Sequence, residues 1–184
     1  NGISLPTDDL MQNQWHLRNT GQHPLWPPSF FTAGADAKVI DAWEELGNLG
    51  SNSITVAVID DGFDTNHPDL KGNGNKIVQP WNFKTNSPNV QALPHEIHGT
   101  PCAGLAVGAA NGSGIVGSAP NARLMPIRFA GLSDGQVEQW FNYASLNGAD
   151  VISCSWGFSS VTTPLSTRKI NALAGCATNG RNGK

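Results

Sequence analysis

The run Val56-Ala57-Val58-Ile59-Asp60-Asp61-Gly62 ends an unbroken apolar stretch in two carboxylates, and His98-Gly99-Thr100 sets an imidazole at the head of a small-residue segment. A histidine working as a general base needs an acceptor on its far nitrogen, which fixes the tautomer and stabilises the imidazolium as it forms. Asp60 is placed to be that acceptor and His98 to be that base. Together they would form the acid and base half of a site that activates a hydroxyl for acyl transfer. No serine in the chain stands in a Gly-Thr-Ser context ahead of a helix, so the nucleophile is expected beyond Lys184, or not at all. At the start of a helix His98 also feels the positive end of the dipole, which disfavours its protonated form, with Asp60 partly opposing.

Such a pair has to be delivered by particular elements. A strand buried on both faces carries an acid only at its tip, and Ile54 to Ile59 reads as such a strand. Val39, Ala42, Trp43 and Leu46 recur at three and four residue steps, which predicts a helix over Ala35 to Leu46 stopped by Gly47. Lys76 to Phe83 reads as a second strand. Gly99 to Ala110 reads as a small-residue helix that tolerates Pro101 in its first turn. Arg123 to Ala130 is a third strand, interrupted by Pro126. A helix over Ser133 to Leu146, a strand over Asp150 to Trp156 and a helix over Pro164 to Thr178 complete the alternation. The expectation is an α/β, three-layer, doubly wound, mostly parallel sheet with ligands at the carboxyl ends of its strands. Residues 1–34, with two tryptophans, four prolines and little periodicity, form an amino-terminal arm, and residues 35–184 form the domain proper.

With 184 residues, 39% of them hydrophobic, the chain can bury one core. A net charge of -3 without basic runs argues against a nucleic-acid partner, and no stretch has the length of a membrane span. The three cysteines, Cys102, Cys154 and Cys176, fit neither a disulfide framework nor paired zinc ligands and read as buried small hydrophobes.

Taken together these motifs resemble the amino-terminal part of the catalytic domain of the subtilisin-like (subtilase) serine peptidases. Val58-Ile59-Asp60-Asp61-Gly62 followed by His67-Pro68-Asp69-Leu70 is similar to the family's aspartate motif. His98-Gly99-Thr100 with Cys102-Ala103-Gly104 is similar to its histidine motif, Gly117 through Pro120 to the segment closing its calcium loop, and Val151-Ile152-Ser153 leading to Ser155-Trp156-Gly157 to its substrate-binding strand. Asp60-Asp61-Gly62, the cysteine in Thr100-Pro101-Cys102-Ala103-Gly104, the Ser-Trp-Gly strand and Pro6-Thr7-Asp8 before Gln14-Trp15-His16-Leu17 lean toward the kexin and furin branch. The likeness runs from about Pro6 to Lys184.

The resemblance implies a serine endopeptidase with Asp60 as triad acid and His98 as general base. It also implies that Ser155, Trp156 and Gly157, with a facing strand near Gly131, pair with an extended peptide or protein substrate. Asp61 either faces that groove and favours a basic residue or is a solvated strand end. Glu138 falls where the kexin branch carries an acid for a more distant basic residue. Phe158-Ser159-Ser160 stands where that branch has an arginine-selecting acid, a departure from its strict dibasic pattern. Calcium would be held by Asp8, Asp69 and the Asn111 side chain, with carbonyls near Ser113 and Ile115. Asn111-Gly112-Ser113 is also a glycosylation sequon. Further implications are a secreted or extracytoplasmic location and a second polypeptide segment beyond Lys184 that brings the catalytic serine and an oxyanion asparagine. Without that segment an interior sheet edge would stand open.

Competing readings are a catalytically inactive binding module of the same fold, a phosphoacceptor domain, and a metal hydrolase built from Asp60, His67, Asp69, His95 and His98. The phosphoacceptor lacks an acid at the end of its third strand. His95-Glu96-Ile97-His98 is one residue short of the zinc-protease spacing.

Overall fold

The computed structural model describes residues 2–157 and 164–183. After an amino-terminal stretch with two 3-10 turns, Met11–Asn13 and Pro28–Phe30, the elements are α1 (Val39–Leu46), β1 (Thr55–Asp60), α2 (Pro68–Lys71), β2 (Trp81–Asn82), α3 (Gly99–Val107), β3 (Arg123–Arg128), α4 (Asp134–Leu146), β4 (Val151–Ser153) and α5 (Thr167–Asn179), with a last 3-10 turn at Gly180–Asn182. The four strands form one parallel sheet in the order β2-β3-β1-β4.

Every residue of β1 is buried, and alternation sorts them between two cores. Ala57 and Ile59 pack with Met125, Ile127, Trp140, Phe141 and Ala172, whereas Val56 and Val58 pack with Leu124, Ala103, Val107 and Leu70. Helices α4 and α5 therefore cover one face of the sheet and α2 and α3 the other, which is the three-layer α/β arrangement expected. Each fully buried Ile or Val contributes roughly 1.5–3 kcal/mol relative to exposure, so β1 is the best-anchored strand in the molecule. The neighbours of β1, β3 and β4, lie on opposite sides of it and the connection from β3 to β4 crosses over it, which places the switch point of the sheet beside β1, at whose carboxyl end Asp60 stands.

Local chemistry trims several elements from their expected lengths. Helix α1 begins at Val39 rather than Ala35 because the Asp36 carboxylate accepts from the Asn19 and Lys38 amides, at 2.8 Å each, and Lys38 takes φ 56. Strand β2 shrinks to two residues, with a separate bridge at Ile77, because Gln79 turns to φ 45 ahead of Pro80. That interruption explains how Pro126 sits inside an interior strand. The amides of Arg123, which opens β3, and of Phe129, just past it, point to the β1 side at the Ile54 and Asp60 carbonyls, and the Leu124 amide points at the Lys76 carbonyl on the β2 side. By alternation the missing N–H of Pro126 falls on the β2 side, at the break.

Leu17 is buried with Ile40, Trp43 and Val116, and the Gln14 amide group bonds the Val116 backbone in both directions at 2.8 and 2.9 Å. The amino-terminal stretch is thereby stitched to the loop after α3. On the far side β4 forms the sheet margin, with Val151 51% exposed, and α5 leaves Ile170 and Leu173 open.

Candidate active site

Asp60, 1% exposed at the tip of β1, and His98, at the start of α3, meet with Oδ1 and Nδ1 2.8 Å apart. The same oxygen accepts the Asp61 amide at 2.8 Å, while Oδ2 is buried without a protein partner. More than half of the His98 side chain is exposed, so Nε2 is the nitrogen left for a reacting group. The hydrogen bond to Asp60 raises the His98 pKa above 6.5, with the Coulombic pull of Asp60 and Asp61 adding to it against a smaller desolvation cost. The helix-dipole effect expected to disfavour the imidazolium is outweighed.

Two glycines let these segments approach. A Cβ on Gly62 would stand 2.9 Å from Ala92 Cα and 2.7 Å from a Glu96 oxygen. One on Gly99 would collide with the Gly62 carbonyl and lie 3.0 Å from Asp60 Cβ. Real Cβ atoms need more room than this, so both motif glycines mark close backbone contact.

Asp61 is half-buried, and its carboxylate bonds within the chain. Its Oδ1 accepts the Gly99 amide at 2.8 Å and its Oδ2 the His98 amide at 3.3 Å, tying β1 to the first turn of α3. Glu96 and Arg128, both buried, pair at 2.7 Å beneath this junction. They carry no motif and lie 32 residues apart, Arg128 at the end of β3 and Glu96 in the loop before α3, so only the folded chain brings them into view. Cys102, one turn along α3, places Sγ 3.7 Å from His98 Nδ1. Among the described residues Asp60, His98 and Cys102 form the one cluster of three such side chains close enough to share a metal ion. His67 instead sits with Asp69, 3.9 Å apart, so the five-residue metal hydrolase is not assembled.

Past β4, Ser155 lies beside Cys102, whose thiol pKa is raised by burial and lowered in part by Ser155. Trp156 Nε1 donates to the Ile59 carbonyl at 2.7 Å, and the ring packs edge-on against Trp140 and Phe129. A Cβ on Gly157 would meet nothing within 4 Å, leaving open space beside the backbone. Gly131 adopts φ 66 with the Gln136 amide where its Cβ would be. Between these segments Leu132, Val137, Phe141, Trp156, Leu165 and Leu173 line an apolar cavity of about 150 Å³. Glu138 is held by Arg168, Oε2 to Nε at 2.5 Å. Phe158-Ser159-Ser160 lies outside the described residues.

A second polar cluster joins the amino-terminal stretch to the loop after α3. Asp8 and Asp69 are 4% and 3% exposed. Asp8 Oδ1 accepts the Asn111 amide at 3.1 Å, Asp69 Oδ1 accepts Asn111 Nδ2 at 2.9 Å, and Asp8 Oδ2 is buried without a protein partner. Ser113 donates its amide to Asn111 Oδ1 at 3.0 Å, and Gly114, between Ser113 and Ile115, accepts from Leu10 through its carbonyl at 2.9 Å. Two buried carboxylates with one orphan oxygen form an oxygen donor set that fits a hard cation such as calcium. Gly114 carries no motif signal of its own, yet at φ 71 a Cβ there would stand 3.0 Å from Asp69 Oδ2.

The profile of the subtilase family matches residues 51–183. A calcium-dependent protease of Trichormus variabilis is 43% identical over 147 residues, covering 78% of this chain and 20% of the relative. A dibasic-processing endoprotease of Schizosaccharomyces pombe is 32% identical over 188 residues, covering 99% of this chain and 24% of the relative. In three dimensions the serine protease of Aeromonas sobria, solved with its chaperone, superposes with TM-score 0.70 at 25% identity, over 90% of this chain and 28% of that one. The chain thus spans between about a fifth and somewhat over a quarter of the length of these proteins. The profile match, an acid and a histidine in contact at the carboxyl end of a parallel sheet, and the shared fold together establish that the chain belongs to the subtilase family.

Proposed function

We propose that the chain is the acid and base portion of a serine endopeptidase whose nucleophile is carried on a further segment. The 2.8 Å contact between Asp60 Oδ1 and His98 Nδ1, which leaves Nε2 available, carries this reading. In the reaction His98 Nε2 takes the proton of a serine hydroxyl as its oxygen bonds to the peptide carbonyl carbon. His98 then returns that proton to the amine as the C–N bond breaks, and water repeats the sequence on the acyl-enzyme. Asp60 holds the ring and offsets the positive charge throughout. The catalytic serine and an oxyanion asparagine would come from a second polypeptide segment seated on the open β4 side.

An extended substrate would lie along Ser155, Trp156 and Gly157 on one side and Gly131 on the other, adding a strand by backbone pairing. Asp61 and Glu138 are already committed, to the α3 amides and to Arg168, and the adjoining cavity is apolar. These features favour substrates with an apolar side chain at that cavity over strictly dibasic ones. Calcium would be held by Asp8, Asp69 and Asn111, with the Asn111 amide turned to present Oδ1, and with carbonyls of the Ser113 to Ile115 loop. A site with two carboxylates suits the high calcium levels outside the cytoplasm, which supports an extracytoplasmic location. No helix among the described residues is long and apolar enough to cross a membrane.

The test uses the full-length protein: labelling by a fluorophosphonate together with peptide hydrolysis, before and after His98→Ala. Expected are rapid labelling of one serine and a fall in kcat of roughly a thousandfold or more in the variant. Hydrolysis undiminished by His98→Ala would sink the proposal.

A further inference from the structure

Glu96 stands two residues before His98, and its carboxylate is enclosed on all sides, 3% exposed. Oε1 accepts from Arg128 Nη2 and from Lys84 Nζ, both at 2.7 Å, and Oε2 accepts the Leu93 amide at 2.9 Å. Arg128, 8% exposed along its side chain, directs Nε at the Asp61 carbonyl at 2.9 Å. In the sheet Arg128 is the register partner of Asp60 on the adjoining strand. One guanidinium therefore grips the carbonyl of the residue that follows Asp60 and the carboxylate of a residue just ahead of His98.

Stability alone is a poor reason for this arrangement. Burying an ion group costs several kcal/mol per charge before pairing, and apolar replacements are often neutral or better. What an apolar side chain lacks is the rigid planar fork of arginine, which fixes the angle between two backbone segments. The segments joined here are the two that have to deliver Asp60 and His98 in register.

We propose that Arg128, with Glu96 as its counter-ion, is a positioning residue that sets the His98 ring against Asp60. The proposal rests on Asp60 and His98 being the acid and base of a serine peptidase. The influence travels by two short routes that converge on His98. On one, Arg128 holds the Asp61 main chain, and the Asp61 carboxylate holds the His98 and Gly99 amides. On the other, Arg128 holds Glu96, which is joined to His98 through Ile97. The titratable groups facing the His98 ring are Asp60 and Asp61 from the end of β1 and the Cys102 thiol from α3. Arg128 and Glu96 act on the ring through the backbone, so their effect is one of geometry.

The experiment compares Arg128→Lys, which keeps the charge and loses the fork, and Glu96→Gln, which keeps the shape and loses the charge, in the full-length protein. Arg18→Met, at an exposed ion pair with Asp41 and Glu44, is the control. Readouts are kcat and KM separately and the His98 imidazole titration followed by NMR. A misplacement on the order of 1 Å at the reacting groups costs up to about 100-fold in rate. Both variants should lose about tenfold to a hundredfold in kcat with KM nearly unchanged. The His98 titration should move down toward 6.5 as its bond to Asp60 loosens, with the acid limb of kcat following. The control should move neither. Unaltered kcat and titration in folded Arg128→Lys and Glu96→Gln proteins would overturn the proposal and leave Arg128 a structural brace only. That result is separable from failure of the peptidase reading, which would show as activity surviving His98→Ala.

Discussion

His98 is pulled two ways, and magnitudes decide the outcome. A helix amino terminus is worth about 0.3–1 kcal/mol against a cation, whereas a hydrogen bond to a charged group contributes roughly 1.5–3 kcal/mol. The bond from a buried carboxylate wins, and the pKa of His98 rises above 6.5. General-base work needs the neutral ring, so activity should fall as pH drops through that raised value. The acid limb of kcat/KM in the full-length enzyme is expected above pH 6.5, and Asp60→Asn should bring the surviving activity's limb down. A parent limb at or below 6.5 would contradict the assigned pairing. For stability the sign is opposite: with the folded-state pKa raised, protonated His98 favours the fold below pH 6.5, and that contribution fades as pH climbs through the folded value. The gain is small because the ring is more than half exposed.

Among the elements, the join between β1 and α3 is the least forgiving. Gly99→Ala would push a Cβ against Asp60 Cβ and the Gly62 carbonyl, and overpacking of this kind costs about 1–3 kcal/mol. Gly175→Ala in α5 meets nothing within 4 Å and should stabilise by up to about 1 kcal/mol through helix propensity. Denaturant unfolding of the two variants should move in opposite directions, and equal effects would refute the close-contact account. The legibility of the chain follows the same division. Strand β1 and the residues at its tip are readable because a continuous apolar run ending in an acid fits a fully buried strand and little else. The start of helix α1 is harder to read, because the Asp36 carboxylate, bonded to amides of Asn19 and Lys38, competes with the first helical turn and delays it by four residues. The apparent conflict of Pro126 with an interior strand disappears because β2 is broken opposite it. The partners of Asp61, Glu96 and Arg128 are beyond reach of the sequence, since a carboxylate bonded to distant backbone amides leaves no periodicity or spacing behind.

Across the whole molecule, Asp8 and Asn111 join points 103 residues apart, so a cation there would tie the amino-terminal stretch to the loop after α3. Binding at a hundred times Kd stabilises by about 2.7 kcal/mol, which raises Tm, by fewer degrees per kcal/mol the longer the protein. Calorimetry of the full-length protein should show that rise with calcium, its reversal by a chelator, and its loss in Asp8→Asn. Identical melting with calcium and chelator would remove the metal from the proposal. On the opposite flank lies the margin at β4, with Val151 half exposed, the side on which the proposed nucleophile-bearing segment is placed. The touching backbones at Gly62 and Gly99 also bear on inheritance. Should a descendant lose turnover, selection on folding would still guard both glycines, while Asp60 and His98 would be free to drift. In that lineage the small residues of the two motifs would outlast the charged ones, so the side chains of Asp60 and His98, rather than the signature around them, are the marker of a working enzyme.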